Sequence, residues 1–151
     1  MAMSSTEPAW SVVVPHHPRG AGQARTHMAA RLSSLIRPEL LTDALAVAAE
    51  LVGNAVRHAN ALPGDVIRVT WQVRFVAGAE TVAVRVTDGG AATAPSVRRA
   101  DIDAVDGRGL SIVAALADEW GVETDGAGQS VWADISWPSA RRTTTGLAVG
   151  D

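Results

Sequence analysis

Residues 66–76 read V-I-R-V-T-W-Q-V-R-F-V. Ile67, Val69, Trp71, Val73 and Phe75 share one parity, and Arg68, Thr70, Gln72 and Arg74 share the other. Successive side chains of a strand point to opposite faces, so this pattern predicts a strand with one apolar face. A second run follows a short turn containing Gly78, with Val82, Val84 and Val86 inward and Thr81, Arg85 and Thr87 outward. Two alternating runs joined by a tight turn predict a hairpin in an antiparallel sheet that is covered on one face.

Upstream, Trp10–Pro15 reads as a short strand ended by proline, and His16–Gly22 as a loop. Residues 23–36 carry Ala24, Met28, Leu32 and Leu35 at helical spacing. Pro38 suits the first turn of a second helix, which runs to about Asn60. Downstream, 89–109 is a long segment rich in Gly, Ala and Asp. Residues 110–120 place Leu110, Val113, Leu116, Ala117 and Trp120 at helical spacing. Glu119–Thr124 and Ser130–Trp137 are expected strands, joined by the turn sequence D-G-A-G-Q. The order is strand, two helices, two strands, loop, helix, two strands. It predicts an α+β fold: a two-layer sandwich of a mostly antiparallel sheet with helices on one face.

The whole chain bounds what this fold does. Its 151 residues fit one domain, and 47% hydrophobic with 19% charged residues allow a buried core. Without cysteine there is no disulfide scaffold, thiolate zinc site or cysteine nucleophile. A net charge of −3 argues against a general nucleic-acid binder. Met1–Pro8 lacks the basic and apolar regions of a signal peptide, and no apolar run is long enough to span a bilayer. A soluble, cytoplasmic protein with no membrane partner is the expectation.

Three places carry chemistry. On the second helix, Leu41, Ala44, Leu45, Ala48, Leu51, Val52, Ala55 and Val56 fill one arc, while Glu50, Asn54, Arg57 and His58 occupy the opposite one. A solvated polar stripe explains such an arc. So does a metal–phosphate site, since an amide oxygen is a hard donor for magnesium and a carboxylate one turn away can deprotonate a nucleophile. Gly53 costs the helix about 1 kcal/mol relative to alanine, which points to a close approach there. Next, Asp88 continues the inward parity of Val82, Val84 and Val86, where a carboxylate needs donors. Alternatively the strand has ended and Asp88 is the first residue of a D-G turn. Gly89 and Gly90 beside it admit a close neighbour. Finally, G-R-G-L at 107–110 opens a helix; it is either a phosphate-binding N-terminus or a plain loop-to-helix junction. The segment 91–106 is long for a connection and carries Arg98 and Arg99.

The order of these motifs is more specific than any one of them. E-L-V-G-N-A-V-R-H-A, then V-T-D-G-G, then G-R-G-L-S-I-V, then G-Q-S-V-W-A-D-I over residues 10–137 resembles the GHKL, or histidine-kinase-like, ATPase family. Within it, the chain is similar to anti-sigma regulatory factors of the serine/threonine-kinase type. The resemblance implies ATP and Mg²⁺ as cofactors and a Bergerat-type ATP-binding fold. It implies that Asn54 holds Mg²⁺, that Glu50 is the general base, and that Asp88 accepts from the adenine amino group with Gly90 admitting the base. Residues 91–106 would be the ATP lid. Gly107, Arg108, Gly109 and Leu110 would border the nucleotide, with the two glycines against the phosphates. Ser130 stands where the family has threonine near the adenine site; Arg57 and His58 complete the helix motif and are implied, with Ser130, to help bind the nucleotide. One departure is D-G-G-A-A at 88–92, with Ala92 where a glycine is usual.

The implied activity is phosphorylation of a serine on an anti-anti-sigma (STAS-domain) partner, with a sigma factor as client and a homodimer as a possible assembly. A non-catalytic module that sequesters a partner on the same fold is the alternative. A detached histidine-kinase ATPase part ranks below both, because only one helix, 23–36, precedes the motif helix. The expected layout is a disordered N-terminus over 1–9, the domain over 10–137 and a disordered tail over 138–151.

Overall fold

The computed structural model describes residues 7–90, 107–126 and 128–139. Five antiparallel strands form one sheet in the order β1-β2-β3-β5-β4. They are β1 (Ala9–Pro15), β2 (Val66–Val76), β3 (Ala79–Asp88), β4 (Glu119–Thr124) and β5 (Gln129–Trp137). Helices α1 (Arg19–Leu32), α2 (Pro38–His58) and α3 (Gly107–Leu116) complete the fold. The architecture is the expected α+β one. The segment 91–106, with Ala92, Arg98 and Arg99, and the tail from 140 lie outside the described residues.

The hairpin forms as its alternation dictates. Ile67, Val69, Trp71 and Val73 are buried, and so are Val82, Val84 and Val86 across from them. Each such side chain stabilises the fold by about 1.5–3 kcal/mol. Phe75 departs from expectation: it is 55% exposed, because β2 runs on past the end of β1, whose pairing stops with Ala9 opposite Gln72. Ala77 and Gly78 make the turn, both with positive φ.

The first helix begins earlier than the sequence suggests, at Arg19 rather than 23, and ends at Leu32 rather than 36. Gly20 lies directly against the Pro15 carbonyl, where a Cβ has no room, and its N–H donates to the His17 carbonyl at 2.7 Å. The chain therefore passes from strand to helix with almost no loop. Beyond Leu32 the chain turns; Ile36 takes the buried position and Leu35 is 37% exposed. Arg37 is extended ahead of Pro38, as a residue before proline prefers.

Helix α2 lies against β3, β5 and β2, with α1 and α3 flanking it. It has Pro38 in its first turn, Glu39 near its N-terminus, and Arg57 and His58 in its last turn, all suited to the helix dipole. Trp120 belongs to β4, not to the third helix, because the Asp118 N–H bonds to the Asp134 carbonyl at 2.8 Å and starts the strand. The N-terminus is held earlier than expected. The Pro8 carbonyl accepts from Val73 N–H at 2.9 Å, and Glu7 accepts from Gln72 Nε2 at 3.2 Å. No helix among the described residues is long and apolar enough to cross a membrane.

Candidate functional site

The site is assembled where α2 ends and β3 ends. Past His58 the chain leaves the helix, and Asn60 N–H donates to the Gly90 carbonyl at 2.9 Å while Gly89 N–H donates to the Asn60 carbonyl at 2.7 Å. This reciprocal pair fastens the helix terminus to the D-G-G turn. A Cβ on Gly89 would run into the Ala61 carbonyl, and Gly90 has φ +86°. One glycine is thus required by contact and the other by backbone conformation. On the other side, His16 Nε2 and the Ala59 carbonyl share a hydrogen bond at 2.8 Å, so the β1–α1 connection also holds the helix end.

Asp88 is the last residue of β3 and is 1% exposed. The strand has therefore not ended before it, and its carboxylate faces the helix side like the valines preceding it. Oδ1 accepts from Gly90 N–H at 2.7 Å. Its ladder partner on β5 is Gln129, itself 3% exposed. Gln129 Oε1 accepts a long bond from the Thr124 hydroxyl at 3.5 Å, and its Nε2 has no hydrogen-bond partner among the described residues. Gly128 brings β5 so near that a Cβ there would collide with the Asp88 carbonyl.

Ser130 is not beside Asp88. It pairs with Thr87, their hydroxyls 2.8 Å apart, on the open face of the sheet. Strand parity decides this: Asp88 and Gln129 look one way, Thr87 and Ser130 the other. Gln129 is the site residue that sequence reading missed, although its parity with the buried Val131, Ala133 and Ile135 marks it as inward.

Asn54 is 4% exposed and does not lie opposite the apolar arc. Leu40, Ala44, Val47 and Leu51, at steps of three and four, form a buried row that Asn54 continues. It stands one turn before His58, the last residue of α2, and the chain just past that end is tied to the D-G-G turn. Arg57 Nη2 donates to Asn54 Oδ1 at 2.8 Å. Glu50, one turn before Asn54, lines a groove of about 380 Å³ between α1 and α2 with Ala21, Arg25, Gly53 and Arg57. His58 is half-buried at the end of α2. Gly107, Arg108, Gly109 and Leu110 form the first turn of α3, which packs against α2.

The structure thus brings Asn54, Arg57, His58 and Glu50 onto one helix and ties that helix to Asp88, Gly89 and Gly90. The arrangement fits a nucleotide. A buried acceptor and a buried donor with no partner among the described residues stand side by side between glycines, and a hard amide oxygen lies one turn from the helix end that is tied to them. No curated protein matches the chain. A family model described as the histidine kinase-like ATPase domain matches residues 14–135, and the chain belongs to that family.

Proposed function

We propose that this protein is an ATP-dependent serine kinase that acts as an anti-sigma-factor-like regulator, with a STAS-domain anti-anti-sigma factor as its substrate and a sigma factor as its client. The carrying observation is Glu50. It lines a groove open between α1 and α2, one turn from the buried amide of Asn54. A carboxylate beside the phosphate end of a nucleotide, yet reachable from outside, suits transfer to a protein hydroxyl.

In this reading Asp88 orients the base by accepting from its amino group, and Gln129 Nε2 supplies a donor beside it. Asn54 Oδ1 would be the protein ligand for Mg²⁺, an ion that binds through few protein oxygens and keeps waters and phosphates as its other ligands. Bound Mg²⁺–ATP supplies the transferable phosphoryl group and neutralises its charge. Glu50 would take the proton from the incoming serine hydroxyl as that oxygen bonds to the γ-phosphorus and the bond from that phosphorus to the β–γ bridging oxygen breaks; the proton would rest on the carboxylate and ADP would leave. The α3 N-terminus offers backbone N–H groups to phosphate oxygens. The phosphoserine adds negative charge to the partner and weakens the interface it would otherwise form.

Mg²⁺-dependent ATP binding, measured by calorimetry on the wild type and Glu50→Ala, followed by labelled phosphate transfer to a STAS-domain protein, tests the proposal. Binding by both proteins with transfer by the wild type alone supports it. No binding at millimolar ATP defeats it and leaves a protein-binding module on the same fold.

A further inference from the structure

Gly53 and Arg57 form a device that the phosphoryl-transfer reading does not use. A Cβ built on Gly53 would stand 3.2 Å from Arg57 Nη1 and 3.9 Å from its Cζ, so the guanidinium lies folded back over the bare glycine. From there Nη2 reaches Asn54 Oδ1 at 2.8 Å. The mid-helix glycine, unfavourable by propensity, thus clears the path along which Arg57 returns three residues to the amide. The oxygen so engaged is the same atom that the proposed function assigns to the metal.

Two cations cannot share that oxygen comfortably. Mg²⁺ requires near-octahedral geometry at about 2.0–2.1 Å from each ligand oxygen. A guanidinium nitrogen 2.8 Å from the same oxygen would intrude among the ion's other ligands and repel its charge. Asn54 is buried, whereas Arg57 is exposed on a long side chain. Arg57 is therefore the partner that can leave, while the amide stays in place.

We propose that Arg57 is a positioning residue that substitutes for the metal: its guanidinium holds Asn54 Oδ1 in the nucleotide-free protein and has to be released before Mg²⁺ binds there. This rests on Asn54 being the metal ligand. Arg57 keeps the buried amide satisfied and correctly turned, and it raises the Mg²⁺ concentration needed to load the site. Gly53 tunes that competition by letting the guanidinium lie close.

The test is ATP binding by calorimetry across a Mg²⁺ series for the wild type, Arg57→Gln and Gly53→Ala, with thermal melts of all three. Arg57→Gln is expected to lower the Mg²⁺ concentration for half-maximal binding by roughly threefold to tenfold. Gly53→Ala is expected to shift it the same way by less, while its Tm holds or rises because alanine favours the helix. A folding defect would not lower the Mg²⁺ requirement in both variants. The Asn54 side-chain amide resonances of the nucleotide-free protein should also move in Arg57→Gln. An unchanged or higher Mg²⁺ requirement in Arg57→Gln, or loss of ATP affinity at every Mg²⁺ concentration, overturns this inference alone. A wild type that binds ATP without regard to Mg²⁺, or not at all, overturns the metal assignment and this inference with it.

Discussion

Asp88 and Gln129 stand opposite each other in the β3–β5 ladder, both on the helix side of the sheet and 1% and 3% exposed. One is an acceptor and the other holds a donor with no protein partner among the described residues. Side by side at the ends of their strands, they would, in the proposed function, meet the amino group and a ring nitrogen of a base.

Asp88→Asn is expected to weaken ATP binding by about tenfold to a hundredfold, the range for a hydrogen bond to a charged group. The fold should persist, because the asparagine oxygen can still accept from Gly90 N–H. Calorimetry beside a thermal melt checks both halves; unaltered ATP affinity would remove Asp88 from the site.

Gln129→Leu separates site from scaffold. Leaving a buried donor unsatisfied costs about 1–3 kcal/mol, so an apolar residue of similar size should hold or raise Tm. ATP affinity should nevertheless fall. If Tm drops and ATP affinity is kept, Gln129 is part of the core and not of the nucleotide site.

Glu50→Gln is expected to bind ATP as the wild type does and to slow phosphate transfer to the partner serine by about 10²–10⁴-fold, the usual contribution of a general base. A labelled-phosphate assay reads this directly. Transfer at the wild-type rate would show that another group takes the proton.

Gly128→Ala should destabilise the protein by about 1–3 kcal/mol, since the new methyl group meets the Asp88 carbonyl and backbone has to shift. ATP binding should suffer with it. Gly126→Ala, in the same turn but with nothing within 4 Å of its Cβ, is the control and should stay within about 0.5 kcal/mol of wild type. Denaturant melts of the pair give the comparison.

Asp134 lies on the open face opposite Glu119. Burial raises its pKa above the ordinary 3.8; Glu119 and Asp118 add to the rise, and Arg74 and Arg85 oppose it. The folded protein therefore binds this proton more tightly than the unfolded chain does. The associated stability is present below the unfolded value and is lost as pH rises from 3.8 through the folded one. Asp134→Asn should melt above wild type at neutral pH, with the difference shrinking as pH falls toward 3.8. An offset that stays constant over that range would show that the charge is not its source.

Much of this protein is decided within short stretches of its sequence. Alternation in 66–76 and at Val82, Val84 and Val86 determined two strands and their buried faces, because side-chain direction has a period of two whatever the surroundings. Pro38 and the apolar spacing after it determined α2, whereas the parity of Asp88 with those valines left a D-G turn open until the strand was seen to run through it. The tertiary structure alone decided the rest. The register of β3 against β5 set Gln129, not Ser130, across from Asp88. The way α2 settles on the sheet turned Asn54 into the buried row and left Glu50 at a groove. Contact with the Pro15 carbonyl started α1 at a glycine-containing stretch that reads as loop. Gly53, out of place by propensity, has its reason in where the Arg57 guanidinium comes to rest. Periodicity is local to a few residues, whereas register, close approach and burial depend on what lies across the sheet or along the neighbouring helix.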